Sequence, residues 1–592
     1  MFLLRSIFSY LLLLSAFLSQ MSYASDWQTW FEKHNYRQTP RFGETLEFSK
    51  RLSDASPKLD LQTFGYSHQG RELFALIWDA DGLFAPDQAK AAGKTIVLVQ
   101  AAIHPGEPAG KDAGLQLLRD IAIHEQYADD FTNVTLIFIP ILNPDGHERF
   151  GPYNRINQNG PEEMGWRTNA RNLNLNRDYL KADAKEMQHL LGFWHQWEPD
   201  FFMDTHSTNG GDYQYTMTWA MDLYGGSNPD LVNWINNNYI PVIESLMEEE
   251  GYPLFPYVTY RSWHDPRSGV RSGAGNPMFS NVYASELNRP GLLLETHMLK
   301  PYPERVESTY RIILNTIRIL NRQSSLHNVI AKADQFTASP AFRKEPFPLR
   351  FRNTSDSVMV DFLGVQYEKK VSSLTGGNWF IYDPDSPETY TVAWFNQNEV
   401  TYSVQLPDAY IVPVEYSDII ERLSLHGIEM HILDQDLDLK SESYRFSDVE
   451  LSSRSREGRQ TASFQTETIE ESRLWHKGSV IIPMDQPKAR IIAHALEPMA
   501  PGSFAYWGFF NAVFERIEYA ESYVMEAMAR EMIDKDPQLL EKLEEVKKEN
   551  PSLEGNSFAI LNWFYEQTPY FDERYNVYPV GRISTTNLPA KW

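Results

Sequence analysis

The sequence contains no cysteine among its 592 residues. This absence excludes a disulfide framework, a thiolate nucleophile, a lipid-modified N-terminal cysteine and any sulfur ligand for a metal. A metal ion in this protein must therefore be held by nitrogen and oxygen atoms. Two catalytic motifs are absent as well, the GxSxG of serine hydrolases and the HExxH of many metalloproteases.

Positive charge is scarce, with 54 Lys and Arg residues against 79 Asp and Glu residues and a formal net charge of -25. Such a surface repels a polyanion, so we expect no nucleic-acid partner. A small anionic substrate would need cations gathered at one place. The stretch GWRTNARNLNLNRDY, residues 165–179, is such a place, because it holds Arg167, Arg171 and Arg177 among four asparagines. The alternative is a solvated polar loop.

Long hydrophobic runs are also scarce, and the clearest one lies at the N-terminus. Arg5 precedes the apolar residues 7–18, and Ser22-Tyr23-Ala24 then offers small residues at a cleavage site. The run is shorter than the roughly 20 residues that span a bilayer. The pattern predicts a signal peptide over residues 1–24, export to the periplasm or the extracellular space, and no membrane attachment after cleavage. The alternative is a membrane anchor.

The length and the composition indicate a multidomain globular protein. With 42% apolar and 22% charged residues, the chain is composed like a soluble globular protein. A chain of this length is too long for one ordinary core, so at least two domains are expected.

Buried strands alternate with helical segments in the first half of the chain. Four apolar runs of strand length, two helical patterns and one earlier hairpin account for most of it: strands over 95–103, 134–142, 201–205 and 291–294, helices over 110–125 and 303–326, and paired strands over 61–77. Continuous apolar strands are typical of a sheet covered on both faces. We therefore predict an α/β sheet, with ligands bound outside the carboxyl ends of its strands.

The second half of the chain has a different pattern. Pro340, Pro346 and Pro348 punctuate residues 336–348, which we predict to be a linker. Residues 349–500 alternate apolar and polar positions and predict a β-rich accessory domain. Residues 512–548 show helical periodicity with a break at Asp536-Pro537, and we predict a helical C-terminal segment over residues 501–592. Neither part shows a cluster of metal-type ligands, so we assign the chemistry to residues 25–335.

Two of the predicted strands lead into residues that commonly bind metals. His104 and Glu107 flank Pro105-Gly106 after the first strand, and His206 follows the third. Zinc held without cysteine usually takes three ligands from His, Asp and Glu, and a catalytic site leaves a fourth position for water. Alone, the HPGE segment is a turn with two polar side chains, and His206 is a surface histidine in a polar loop.

A carboxylate that is not a metal ligand usually serves as the general base for a metal-activated water. Glu295 ends the apolar run GLLL, where an unpartnered charge would be costly to bury. Glu295 is therefore the candidate base. The alternative is a structural ion pair with Arg289 or Arg305. For His297, two residues on, a role as a polar neighbour is favoured over entry into the site.

Taken in order, five segments resemble the zinc metallocarboxypeptidases of the carboxypeptidase A type: HPGE, NPDG, WR followed by LNLNRD, DTHS, and PGLLLETH. The segment FGYSHQGREL is similar to the opening hairpin of that family. The resemblance spans about residues 40–325. It implies an α/β/α sandwich with a mixed central sheet over residues 25–335.

The resemblance also implies one Zn²⁺ per chain, bound by His104, Glu107 and His206. Glu295 would be the general base and proton shuttle, and Arg167 would lie beside the scissile carbonyl. The expected activity is hydrolysis of the C-terminal amide bond of a peptide by metal-activated water, without a covalent intermediate.

For the substrate, the resemblance assigns the terminal carboxylate to Asn176 and Arg177. The family also uses a mobile tyrosine there, and we predict Tyr283 from four candidates in residues 251–290: Tyr252, Tyr257, Tyr260 and Tyr283. One departure concerns Asn174, where many relatives have an aspartate that orients a zinc-bound histidine. An amide lends the imidazole less basicity than a carboxylate does.

Other functions remain open on the sequence. The same metal site would suit an amidase acting on peptidoglycan stem peptides or a deacylase of N-acyl amino acids. A binding protein on an inactive peptidase scaffold is disfavoured, because the three ligands, Glu295 and Arg167 are all present.

Overall fold

The computed structural model describes residues 27–322, 325–584 and 586. The predicted signal peptide, residues 1–24, lies outside these ranges. Within them, no helix combines the length and the apolar character needed to cross a membrane.

An eight-stranded mixed sheet forms the first part of the molecule, with the order β1-β2-β4-β3-β5-β10-β6-β7. The strands are β1 Leu59–Tyr66, β2 Glu72–Asp79, β3 Thr95–Gln100, β4 Val134–Ile139, β5 Phe201–Ser207, β6 Met217–Ala220, β7 Leu254–Pro256 and β10 Gly291–Thr296. Strands β4, β3, β5 and β10 are parallel to one another. Strand β2 runs antiparallel to β1 and β4, and β6 runs antiparallel to β10 but parallel to β7. The predicted α/β class with a mixed sheet is confirmed.

Helices flank this sheet: α1 Trp30–Lys33, α2 Phe42–Ala55, α3 Pro86–Ala91, α4 Ala109–Ala122, α5 Pro144–Glu148, α6 Lys185–Trp197, α7 Pro229–Trp234, α8 Ile240–Glu249, α9 Ser280–Glu286 and α10 Tyr302–Arg322. Successive residues of β3 enter opposite cores. Ile96 and Leu98 join one hydrophobic cluster, whereas Val97 and Val99 join the other. Burial on both faces explains why β3 is a continuous apolar run.

The predicted linker over residues 336–348 is instead regular structure. Helix α11 (Ser325–Thr337) is followed by α12 (Pro340–Lys344) and by β11 (Phe347–Asn353). Phe342 and Phe347 are buried in the same core cluster as Ile96. The prolines mark helix and strand starts rather than a flexible joint, because proline is tolerated at the first turn of a helix and at strand edges.

Residues 349–500 contribute to more than one sheet. Strands β12 (Val358–Val371) and β13 (Asn378–Phe395) form a long hairpin, and β13 pairs with β9 (Asp265–Arg271), which pairs with β8 (Thr259–Ser262). The accessory region thus extends a hairpin that belongs to the first half of the chain. Strand β14 (Asn398–Val404) pairs with β11.

A six-stranded sheet follows, with the order β16-β19-β15-β20-β17-β18. Its strands are β15 Ala409–Val412, β16 His431–Ile432, β17 Leu437–Leu451, β18 Ala462–Trp475, β19 Val480–Pro483 and β20 Gly581–Ile583, accompanied by α13 Ser417–Leu425 and α14 Ala489–Leu496. Strand β20 comes from the predicted helical segment yet lies between β15 and β17. That segment is therefore only partly helical.

The helices predicted near the C-terminus are present, and they are α15 (Ser522–Lys535), α16 (Gln538–Glu549) and α17 (Ser557–Tyr565). They enclose a small hydrophobic cluster of their own. Helix α15 ends at the predicted break, where Asp536-Pro537 precedes α16.

Candidate metal centre and substrate cleft

The loop after β3 turns sharply to bring His104 and Glu107 together. The Glu107 backbone N–H donates to the His104 carbonyl oxygen at 2.9 Å, and α4 begins at Ala109. A side chain at position 106 would lie 3.2 Å from the Gly165 carbonyl oxygen, so glycine permits this close approach. The Pro-Gly pair thus fits a turn packed against the loop that carries Arg167.

Strands β5 and β10 place three acidic or basic side chains at neighbouring positions. Asp204 and His206 are two residues apart on β5 and therefore share one face of the sheet. Across the parallel pairing, Glu295 lies opposite His206. The carboxyl ends of these strands adjoin the end of β3, which pairs with β5.

The donor atoms of His104, Glu107 and His206 all lie within 4.8 Å of one another, and the three residues are buried. The two Nδ1 atoms are 3.1 Å apart. Glu107 Oε2 is 3.1 Å from His206 Nδ1, and Glu107 Oε1 is 3.4 Å from His104 Nδ1. Among the described residues this is the one group of His, Asp and Glu side chains with such spacing.

The opposite nitrogen of each imidazole is held by an acceptor. His104 Nε2 lies 2.9 Å from Asn174 Oδ1, and His206 Nε2 lies 2.8 Å from Asp204 Oδ2. Hydrogen bonds of this kind place the proton on Nε2 and turn the Nδ1 lone pair towards the other donors. Two nitrogen ligands and one carboxylate, without sulfur, suit a zinc site that keeps a fourth position open.

The charges around the cluster also indicate a place for a cation. Burial by itself would lower the pKa of His206, but the carboxylates of Asp204 and Glu107 outweigh it and raise this pKa to about 10. Burial lowers the pKa of His104 to about 4. Without a metal, positive charge is thus concentrated on one imidazolium between two carboxylates. A divalent ion would replace that proton.

Two arginines also bind Glu107. Arg155 Nη1 is 2.6 Å and Arg167 Nη1 is 2.9 Å from Glu107 Oε1. Arg155 is held further by the Ser207 carbonyl oxygen at 2.8 Å. Burial would raise the pKa of Glu107, but Arg155 and His104 hold it well below the usual range.

Glu295 lines the cavity beside these ligands. Its Oε2 atom is buried and has no hydrogen-bond partner among the described residues. Burial raises the pKa of Glu295 to about 7. The alternative of a structural ion pair does not hold, because Arg289 binds Asp334 and Arg305 binds the carbonyl oxygens of residues 159 and 160.

His297 does not line the cavity and lies 2.9 Å from Asp212 through its Nε2 atom. This position agrees with the role of a polar neighbour.

Asn176 and Arg177 line the same cavity as the metal ligands, together with Phe279. The Arg177 guanidinium lies over the Phe279 ring, 4.5 Å from its centroid. Asn176 Oδ1 accepts a hydrogen bond from the Ser280 backbone N–H at 3.0 Å, so the amide nitrogen is the donating end. We call Asn176, Arg177 and Phe279 the carboxylate pocket.

The prediction of Tyr283 as a substrate residue is wrong. Tyr283 is fully buried on α9, and its hydroxyl lies between His195 Nε2 at 3.0 Å and His426 Nδ1 at 2.9 Å. Tyr257 and Tyr260 line the cavity instead. Burial and the nearby Glu295 raise the pKa of Tyr257, which therefore keeps its proton.

The candidate site residues share one cavity of 350 Å³. It is lined by the three candidate metal ligands, Glu295, Arg167 and the carboxylate pocket. The remaining lining residues include Tyr257, Tyr260, Trp263 and His264. A larger cavity of 510 Å³ lies beside β17 and β20 and contains none of the predicted site residues.

Sequence reasoning missed three residues around the site. Asp204 was recognisable from the spacing DTH, because residues two apart on a strand share a face. No local pattern marks Arg155, which reaches Glu107 from 48 positions away. Phe279 likewise gains its place only through packing under Arg177.

Residues 45–252 match the model of the zinc carboxypeptidase family, Peptidase M14. Carboxypeptidase 2 of Trichophyton rubrum is 22% identical over 487 residues, covering 79% of this chain and 84% of that protein. Carboxypeptidase 2 of Trichophyton equinum is 21% identical over 486 residues, with the same coverage. The crystal structure of carboxypeptidase A from Helicoverpa armigera has 15% identity and a TM-score of 0.36, covering 48% of this chain and 74% of that one.

Proposed function

We propose that this chain, whose residues 45–252 match the zinc carboxypeptidase family, is a metallocarboxypeptidase that releases C-terminal residues from peptides that end in a free carboxylate. One observation carries the proposal. A single cavity is lined both by a cluster of metal ligands and by an arginine with an asparagine. A terminal carboxylate bound at the second place would bring its amide bond to the first.

Zinc held by His104, Glu107 and His206 would polarise the scissile carbonyl and activate a water molecule. Glu295 takes a proton from the attacking water and passes it to the leaving amine. A pKa of about 7 for Glu295 suits both proton transfers, because neither accepting nor returning the proton is then strongly unfavourable in free energy.

The remaining side chains bind and orient the substrate. Arg167, whose side chain is 41% exposed, meets the negative charge that develops on the carbonyl oxygen. Arg177 binds the terminal carboxylate through its planar fork, and Asn176 donates from its amide nitrogen. Tyr257 keeps its hydroxyl proton and supplies a further donor in the place predicted for Tyr283.

We also propose that the protein is exported. The support is the N-terminal pattern of Arg5, an apolar run and a small-residue cleavage site. Mass spectrometry of the mature protein should then find an N-terminus at Ser25. A mature chain that still begins at Met1 would contradict export by this route.

The substrate proposal is tested with matched peptides that differ only at the C-terminus. We expect the peptide with a free carboxylate to be cleaved at least about 100-fold faster, by kcat/KM, than the amidated peptide, because Arg177 loses a charge-assisted partner in the amide. Release of the C-terminal residue is followed by mass spectrometry. Equal cleavage of both peptides would favour an amidase of a different specificity.

A further inference from the structure

The short helix α9 contacts the carboxylate pocket at its N-terminal end. Phe279, immediately before α9, lies under the Arg177 guanidinium. Ser280, its first residue, donates its backbone N–H to Asn176 Oδ1. A displacement of α9 would therefore move the surroundings of both residues that are proposed to bind the substrate carboxylate.

The same helix is held on its other side by the accessory region. His426, which directly follows α13, lies 2.9 Å from the Tyr283 hydroxyl through its Nδ1 atom. Arg490 of α14 forms an ion pair with Glu286 at 2.8 Å. All four of these side chains are buried, with exposed fractions between 0% and 4%.

The hydrogen bonds around Tyr283 form a directed chain. His426 Nε2 lies 2.9 Å from the Leu180 carbonyl oxygen, which can only accept, so the His426 proton is on Nε2. His426 Nδ1 is then an acceptor, and the Tyr283 hydroxyl must donate to it. The Tyr283 oxygen in turn accepts from His195 Nε2 at 3.0 Å. Burial lowers the pKa of His195 and of His426 and keeps both neutral, as this series of hydrogen bonds requires.

Helix α9 has only seven residues. A helix of two turns gains little stability from its own hydrogen bonds, so packing and buried polar contacts determine its position. A buried donor or acceptor that loses its partner is costly, which favours one placement of α9 over slightly shifted ones.

We propose that His426 is a positioning residue for the carboxylate pocket: through Tyr283 it fixes α9, and α9 fixes Phe279 and the Asn176 amide. The accessory region is thus part of the substrate-binding machinery, although none of the residues that the structure describes beyond position 335 lines the cavity. The inference rests on the proposed function, because it concerns the pocket for the terminal carboxylate.

Two substitutions of His426 separate positioning from mere packing. His426→Leu removes the acceptor for Tyr283, whereas His426→Asn keeps an oxygen near the position of Nδ1. We expect KM for a peptide with a free carboxylate to rise about fivefold in His426→Leu, with kcat changed less than twofold and zinc content unchanged. His426→Asn should restore KM to within about twofold of the parent. Equal KM values in the parent and both variants would overturn the proposal.

Tyr283→Phe is a milder change that keeps the buried ring, and Tyr239→Phe is its matched control. Tyr239 is equally buried and its hydroxyl bonds to Thr316 at 2.8 Å, but it lies in the other hydrophobic core. Each variant loses one buried hydroxyl. KM should rise in Tyr283→Phe and stay at the parent value in Tyr239→Phe. A rise of the same size in both would show a general effect of stability and would contradict positioning.

Hydrogen–deuterium exchange tests the positioning without relying on cleavage. In Tyr283→Phe and His426→Leu, the backbone amides of residues 174–177 and 280–283 should exchange at least about threefold faster than in the parent, while Tyr239→Phe should leave them unchanged. Parent-like exchange in the first two variants would overturn the inference even if the enzyme cleaves peptides as proposed. Faster exchange in these two variants, combined with a parent enzyme that does not prefer free carboxylates, would overturn the proposed function alone.

Discussion

At the scale of single residues, the two histidines of the candidate metal site differ in the side chains that bind their Nε2 atoms. His206 is paired with the carboxylate of Asp204, whereas His104 is paired with the amide of Asn174. A carboxylate makes the imidazole a stronger ligand than an amide does. The family resemblance leads one to expect an aspartate at position 174 as the partner of one histidine. His104 has an asparagine there instead, whereas His206 does have an aspartate partner, Asp204.

Asp204→Asn should weaken zinc binding about tenfold, measured by competition with a chelating dye. Asp204 accepts from both Gln100 Nε2 and His206 Nε2, and an amide has only one oxygen for the two donors. Asp200→Asn is the control, because Asp200 stands just before the same strand and binds the Ile96 backbone N–H instead. Equal affinity in the two variants would exclude Asp204 as a support of His206.

Glu295→Gln should lower kcat by about 1,000-fold, because the amide cannot accept a proton from water. Zinc content should stay at the parent level, since Glu295 is not among the three clustered ligands. The measurements are steady-state kinetics and metal analysis of the same preparation. A variant as active as the parent would remove Glu295 from the proposed mechanism.

At the scale of elements, the site depends on close contact between α4 and β5. Gly110 lies in the first turn of α4, and a side chain there would overlap the side chain of Thr205, the residue before His206. This contact sets the separation between the loop carrying His104 and Glu107 and the strand carrying His206. The glycine is thus required for tight packing rather than for an unusual backbone angle.

Gly110→Ala should destabilise the protein by about 1–3 kcal/mol, because the added methyl group overpacks the contact with Thr205. Gly192→Ala is the matched control within α6, where no atom lies within 4 Å of the added methyl group. That variant should instead gain about 0.5–1 kcal/mol, since alanine is the better helix former. Urea unfolding measures both. Changes of the same sign in the free energy of unfolding of the two variants would contradict the packing role of Gly110.

The β12–β13 hairpin shows how one element contributes to two parts of the chain. Strand β13 pairs with β9, and Tyr382 donates to the carbonyl oxygen of His264, a cavity residue. The accessory region therefore supports the wall that contains Tyr257 and Tyr260. This support explains how residues 251–290 hold two tyrosines in fixed positions at the cavity.

At the scale of the whole molecule, buried and partly buried ion pairs connect the accessory region to the first half of the chain. Glu286 pairs with Arg490, and Asp183 pairs with Arg422 and Arg459. Burial would raise the pKa of each carboxyl group, but these arginines and neighbouring cations outweigh it and lower both pKa values to about 2. Since the ordinary values are 3.8 and 4.5, the unfolded chain binds protons first as the pH falls.

The ion pairs should therefore stabilise the fold fully above about pH 5 and lose their contribution as the pH falls from there to about 2. Asp183→Asn should be less stable than the parent at about pH 7, and the difference should shrink through this window. Urea midpoints at several pH values provide the measurement. A difference that stays constant down to about pH 2 would show that Asp183 is not a titrating contact of the folded state.

The sequence by itself determined the parts of this protein that are encoded in short, continuous patterns. The apolar run of β3 reflects its burial on both faces. The segments HPGE, DTHS and GLLLE each contain a polar residue at or just after the end of a strand. Because the carboxyl ends of parallel strands meet at one edge, these patterns were enough to predict the residues His104, Glu107, His206 and Glu295 as one group.

Only the tertiary structure decided which side chains from distant segments share the cavity. Nothing in the sequence distinguishes the four tyrosines of residues 251–290, yet Tyr257 lines the cavity while Tyr283 is buried against His426, 143 positions away. Strand β20 similarly enters its sheet from the end of the chain. Such placements depend on packing between remote segments, and no local periodicity records the partner that a buried side chain will meet.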